Sequence, residues 1–164
     1  MTTQKINSFH PIVGSSPRIL VLGTMPSVKS LEAAEYYAHP RNAFWEIIAS
    51  WGGVERPTDY SEKKRLIQKL NIAVWDVCAS CIREGSLDNA IRDEVPNDIP
   101  ELLAQNPLIR AIAFNGQLAE KLFRRHFPEL KSVAFYTLPS TSPANTLSLE
   151  KKRAAWHKEL SVYL

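Results

Sequence analysis

The chain has 164 residues, 45% of them hydrophobic and 23% charged, which suits one soluble domain over 1–164 with a single sizeable core. A net charge of +3 admits a nucleic-acid partner without requiring one. The start, MTTQKINSFHP, lacks the apolar core of a secretory signal, no apolar run is long enough to span a membrane, and two cysteines cannot staple a secreted scaffold. The cytoplasm is the expected compartment.

The first apolar run, RILVLG (18–23), is near-continuous and branched, as in a strand buried on both faces. It leads into GTMPS (23–27). Gly23 lets the backbone come close to a ligand and Pro26 stiffens the loop. Neither a phosphate-binding P-loop nor a dinucleotide fingerprint follows, and taken alone the turn reads as an ordinary strand–helix connection. Next comes YYAHPRNAFW (36–45). His39-Pro40 sets an extended approach, and Asn42 stands as the N-cap of a helix over 42–52 that puts Phe44, Ile47, Ile48 and Trp51 on one face. Arg41 and the two tyrosines are not needed to start a helix.

A helix over 59–70 precedes the second strand, IAVWDV (72–77), which ends in the loop CASC. Cys78 and Cys81 have too few partners for zinc or an iron–sulfur cluster. The four histidines are scattered, so both cysteines read as small packing residues and no metal or cofactor is expected. A helix over 98–106, the strand IRAIAF (109–114), a helix over 116–127, the strand VAFYTL (133–138) and a helix over 149–164 complete the chain, and all four strands read as buried on both faces. The basic stretches KLFRRHF and EKKR read as solvated faces. LPSTSPAN (138–145) carries hydroxyls of the kind that contact phosphates, or is simply a rigid loop.

Strands alternating with helices predict an α/β layered domain with a mainly parallel sheet and right-handed crossovers. In such folds ligands sit beyond the carboxyl ends of the strands, near a switch in strand order. That brings GTMPS, Asp76, Asn115 and LPSTSPAN to one edge.

In this order, GTMPSVKSLEAAEYYAHPRNAFW (23–45), WDVCASCIREGSLDNAI (75–91), AFNGQ (113–117) and LPSTSPAN resemble the uracil-DNA glycosylase superfamily, most closely its hypoxanthine-DNA glycosylase branch. The resemblance implies a three-layer α/β/α sandwich around a four-stranded, mainly parallel sheet. It implies a monomeric, monofunctional DNA glycosylase that extrudes a deaminated base, hypoxanthine foremost, and leaves an abasic site. Its partner would be DNA, at the nucleoid. The sequence departs from the uracil enzymes at Met25, where they carry Asp or Asn, and at Leu138, where they carry His or Asn.

The resemblance assigns the catalytic amide to Asn42. Substrate contacts fall to Gly23, Thr24, Met25, Pro26, Ser27, Tyr37, His39, Arg41, Phe44, Asp76 and Asn115. DNA contacts fall to Ser140, Thr141, Ser142, Pro143 and Asn145, with a wedge from residues 145–147. Asp76 stands where uracil-specific relatives carry an asparagine. A carboxylate only accepts, which suits the N1–H of hypoxanthine and rejects adenine; the other reading of Asp76 is a turn cap. Two alternatives remain: the same fold acting on uracil or mismatched thymine, or an inactive nucleic-acid-binding domain.

Overall fold

The computed structural model describes residues 4–164. Seven strands and six α-helices follow in chain order: β1 (Lys5–Asn7), β2 (Ile19–Gly23), α1 (Val28–Ala33), α2 (Phe44–Gly52), α3 (Tyr60–Lys69), β3 (Ile72–Asp76), β4 (Cys78–Ile82), β5 (Arg92–Pro96), α4 (Ile99–Gln105), β6 (Ala111–Asn115), α5 (Gln117–His126), β7 (Ala134–Leu138) and α6 (Leu149–Leu160).

The large sheet has the order β3-β2-β6-β7, all parallel. Period-two alternation sorts its side chains into two cores. Ile19, Val21, Ile72, Val74 and Ala113 face α2, α3 and α6, where Phe44, Trp45, Ile67 and Trp156 are buried. Leu20, Leu22, Ala73, Ile112 and Phe114 face α4 and α5, against Ile99, Leu102, Leu122 and Phe123. Helices on both faces make the three-layer sandwich.

Three expectations need correction. CASC is not a loop: Cys78–Ile82 is the central strand of a second, antiparallel sheet ordered β1-β4-β5. The flanking strands are short or hold charges and a proline, so only pairing across the chain defines them. β7 is an edge strand with Ala134 and Thr137 exposed, not a strand buried on both faces. Helix α2 begins at Phe44, one turn residue after Asn42, and its formal cap is Ala43.

After β2 the chain adds β3 on one side, then crosses to β6 on the other. The carboxyl end of β2 is therefore the switch point, where loops diverge and leave a crevice.

Candidate active site

A cavity of about 670 Å³ opens at that switch point. The Gly23–Ser27 loop forms one wall, Asp76 and Asn115 its floor, and Ser140–Asn145 another wall; Tyr37, His39 and Asn42 come from the segment before α2. Two of the expected residues do not reach it. Arg41 is exposed outside the lining. Phe44 is fully buried and forms a shelf on which the Tyr37 ring stacks, centroids 4.1 Å apart.

Asp76 ends β3 with 3% of its surface exposed, and its Oδ2 has no hydrogen-bond partner. Burial pushes its carboxyl up to about 7, Arg83 pulls it back, and Asp88 adds to the rise. The Tyr37 hydroxyl is also buried and partnerless. Tyr37 holds φ +52°, a left-handed conformation that a bulky residue adopts only when its surroundings impose it. Burial first, then the Asp76 charge, raise its phenol pKa; the Asn115 amide lies close enough to oppose them in part but not in hydrogen-bond geometry, and the phenol stays protonated. Gly23 separates the two groups. A Cβ there would lie 2.6 Å from Asp76 Oδ1 and 3.0 Å from the Tyr37 hydroxyl, so only glycine fits.

Asn42 is half-buried and its Oδ1 accepts from the Phe44 N–H at 2.9 Å. The side chain thus still satisfies the helix start from one position further out. That bond uses only the oxygen. Among the described residues no acceptor meets Nδ2. His39 Nδ1 accepts from the Arg41 N–H, which places the proton of a neutral ring on Nε2.

The LPSTSPAN loop is tied down from within. Asn115 Oδ1 accepts from Thr141 N and its Nδ2 donates to Thr141 Oγ1, both at 2.9 Å. The Thr141 carbonyl accepts from Ala43 N. Thr141 is fully buried and its backbone and hydroxyl oxygen serve inside the protein, so it anchors the loop rather than reaching DNA. Asn115 likewise positions the loop. Ser140 and Ser142 accept from Ser142 N and Ala144 N, which leaves each hydroxyl hydrogen free to donate outward. Asn145 bonds Ser140 O and Leu147 N.

Sequence reasoning missed several supports. Asn97 Nδ2 donates to Asp76 O at 2.8 Å and Cys78 O at 3.2 Å, pinning the corner beneath the carboxylate. Arg83, buried, donates to Pro26 O and Gly85 O. Ser86 Oγ accepts from Val28 N, and Thr24 donates to Asp88. Together they hold residues 83–88 as a further wall, with exposed Leu87 on it. Lys152, read as part of a solvated face, is buried and donates to Ser142 O. The sequence does not assign these roles, because most of the contacts join distant parts of the chain.

A hollow of about 820 Å³ lies elsewhere, behind residues 7–13. Its two ring donors, buried Tyr36 Oη and half-buried Trp75 Nε1, are already bonded to His10 O and Phe9 O. The partnerless buried groups Tyr37 Oη and Asp76 Oδ2 belong to the lining of the 670 Å³ cavity instead. Among the described residues no three of His, Cys, Asp and Glu gather as a metal site, and no helix is long and apolar enough to cross a membrane.

Fold and cavity define a class: an α/β sandwich with a cavity at the carboxyl ends of its parallel strands, between a buried carboxylate and a free amide. The model of the uracil DNA glycosylase superfamily matches residues 10–161, and the chain belongs to that superfamily. Two similar proteins are the hypoxanthine DNA glycosylases of Methanosarcina barkeri, 30% identical over 93% of this chain and 96% of that one, and of Methanosarcina acetivorans, 32% identical over 90% and 93%. A solution NMR structure of a candidate uracil DNA glycosylase from Methanosarcina acetivorans superposes with a TM-score of 0.82 at 29% identity, over 94% of this chain and 96% of that one. The SMUG2 protein of Pedobacter heparinus shares the fold, with a TM-score of 0.51 at 13% identity over 90% and 76%.

Proposed function

We propose that this protein is a monofunctional DNA glycosylase that excises hypoxanthine from deoxyinosine by hydrolysis and leaves an abasic site. The observation that carries the reading is the buried, partnerless Asp76 carboxylate on the floor of the cavity. Leaving such a group unpaired is costly, and a ligand that donates to it recovers the loss. Hypoxanthine offers N1–H there, whereas adenine presents a lone pair at N1.

The base reaches the cavity only after the nucleotide leaves the stack, a step that is cheapest for a mispaired base. With the base seated on Asp76, the sugar lies toward the rim, beside Asn42. The C1′–N9 bond then breaks through an oxocarbenium-like state, and negative charge gathers on the departing purine. The free Nδ2–H of Asn42 stabilises that charge, and the second lone pair on Oδ1 holds a water for attack at C1′. An amide fixed in advance can contribute roughly 3 kcal/mol in such a role. Hypoxanthine is a far better leaving anion than adenine, so no carboxylate base is needed at Met25. Ser140 and Ser142 donate to flanking phosphates, and Leu147, 37% exposed, fills the gap in the stack. The chain acts as a monomer in the cytoplasm, held at the nucleoid through DNA.

Oligonucleotides each carrying one deoxyinosine, deoxyxanthosine, deoxyuridine or ethenoadenine test the reading. Base release should be fastest from deoxyinosine. Release from none of them, or from ethenoadenine alone, overturns it.

A further inference from the structure

We infer that Tyr37 is a specificity-determining residue whose hydroxyl donates to the carbonyl oxygen beside the N–H read by Asp76, so that the pair recognises the lactam edge of a base. The inference rests on the glycosylase reading above and extends it from one base to a chemical class.

The argument starts from unpaired groups. Among the described residues four buried side-chain polar atoms lack a partner, and two of them, Tyr37 Oη and Asp76 Oδ2, belong to residues lining this one cavity. Both side chains crowd the same side of Gly23, where a Cβ would meet the Tyr37 hydroxyl and the other carboxylate oxygen of Asp76, Oδ1. One is a donor and the other an acceptor. A lactam presents the reverse pair on adjacent atoms, an N–H and a C=O. Hypoxanthine, xanthine and uracil all carry that edge, and each is the product of replacing an exocyclic amine by a carbonyl. Adenine and cytosine present an amine beside a ring nitrogen lone pair, so both of their groups would meet a like partner. Guanine also carries a lactam. Its discrimination falls to the extrusion step, which is harder for a well-paired base.

The donor is held in place on purpose. The left-handed backbone at Tyr37 and the stack on Phe44 fix the ring, and a phenol with this burial keeps its proton. An alternative role, pure packing, would leave the hydroxyl without a reason to be buried unpaired.

Tyr37→Phe removes the hydroxyl and keeps the ring on its shelf. Single-turnover excision of hypoxanthine, xanthine and uracil should each fall roughly ten- to a hundredfold, the effect of losing one buried hydrogen bond. Affinity for DNA containing a tetrahydrofuran abasic analogue, which has no base to read, and the melting temperature should match the parent. Parental rates in Tyr37→Phe overturn the inference alone, as does an equal loss of affinity for the abasic analogue. A parent inactive on all three lactams overturns the glycosylase reading and the inference with it.

Discussion

Asn42 caps a helix and, on the proposed reading, also serves catalysis, two jobs that its residue type alone could not separate. Its oxygen caps the start of α2 by accepting from Phe44 N–H, while its nitrogen stays free beside the cavity. Variants divide the jobs. Asn42→Asp keeps the acceptor and loses the donor, so its melting temperature should stay near the parent's while single-turnover excision of hypoxanthine drops roughly a hundredfold. Asn42→Ala should show the same rate loss and also cost about 1 kcal/mol of stability. Parental rates in both would remove Asn42 from catalysis. Asp76 gives a pH signature. Its carboxyl is raised by burial from an ordinary 3.8 to about 7. Within that window the folded protein holds a proton that the unfolded chain has released, so stability falls as pH rises. Asp76→Asn should therefore melt well above the parent at pH 8, by an amount on the order of 4 kcal/mol, with the gap closing near pH 4. The parent's excision of hypoxanthine should rise with pH through about 7, as the accepting carboxylate forms. A flat profile would show that the charge plays no part.

The site's elements meet through contacts that leave little slack. Gly23 lets β2 pass under both Asp76 and Tyr37. Gly23→Ala should leave the circular dichroism of a folded α/β protein and lower hypoxanthine excision by roughly a hundredfold or more, because the new Cβ displaces the carboxylate that on the proposed reading aims at the base. Asn115 and Thr141 clamp the end of β6 to the loop after β7, and Ala43 joins α2 to the same loop. Thr141→Val keeps the shape and removes one acceptor. It should cost about 1–3 kcal/mol in denaturant melts, and excision should fall with it because α2 loses a fixed neighbour. An unchanged midpoint would mean the clamp is redundant.

At the scale of the molecule, a net charge of +3 is modest for binding a polyanion, so local contacts at the cavity mouth, more than the overall charge, must supply the attraction. Affinity for undamaged duplex should fall roughly tenfold or more between 50 and 200 mM salt; a flat response would rule out phosphate contacts as the main attraction. Lys29 lines the same mouth, exposed. Hydrolysis without a lysine nucleophile predicts intact abasic strands and no covalent adduct on borohydride treatment. A trapped adduct lost in Lys29→Ala would instead assign a Schiff-base step to that lysine.

The sequence by itself determined the four core strands and five of the helices, because apolar runs and helical periodicity are local signals set by burial. It also determined which loops would meet, since parallel strands all end at one edge. The Gly23 turn, Tyr37, His39, Asn42 and Asp76 are named as site residues through the resemblance to the superfamily, since residue type alone reads Asn42 as a helix cap and the turn as an ordinary strand–helix connection. What only the tertiary structure decided was their division of labour. Phe44 and Trp45 look alike in the sequence as aromatic neighbours of Asn42, yet packing made Phe44 the shelf for Tyr37. Thr141 and Ser142 are adjacent hydroxyls, yet only Thr141 is claimed by Asn115. The strand at Cys78–Ile82, the Asn97 brace and the wall around Leu87 depend on partners tens of residues away, and no local pattern records a contact whose other half lies in a distant segment.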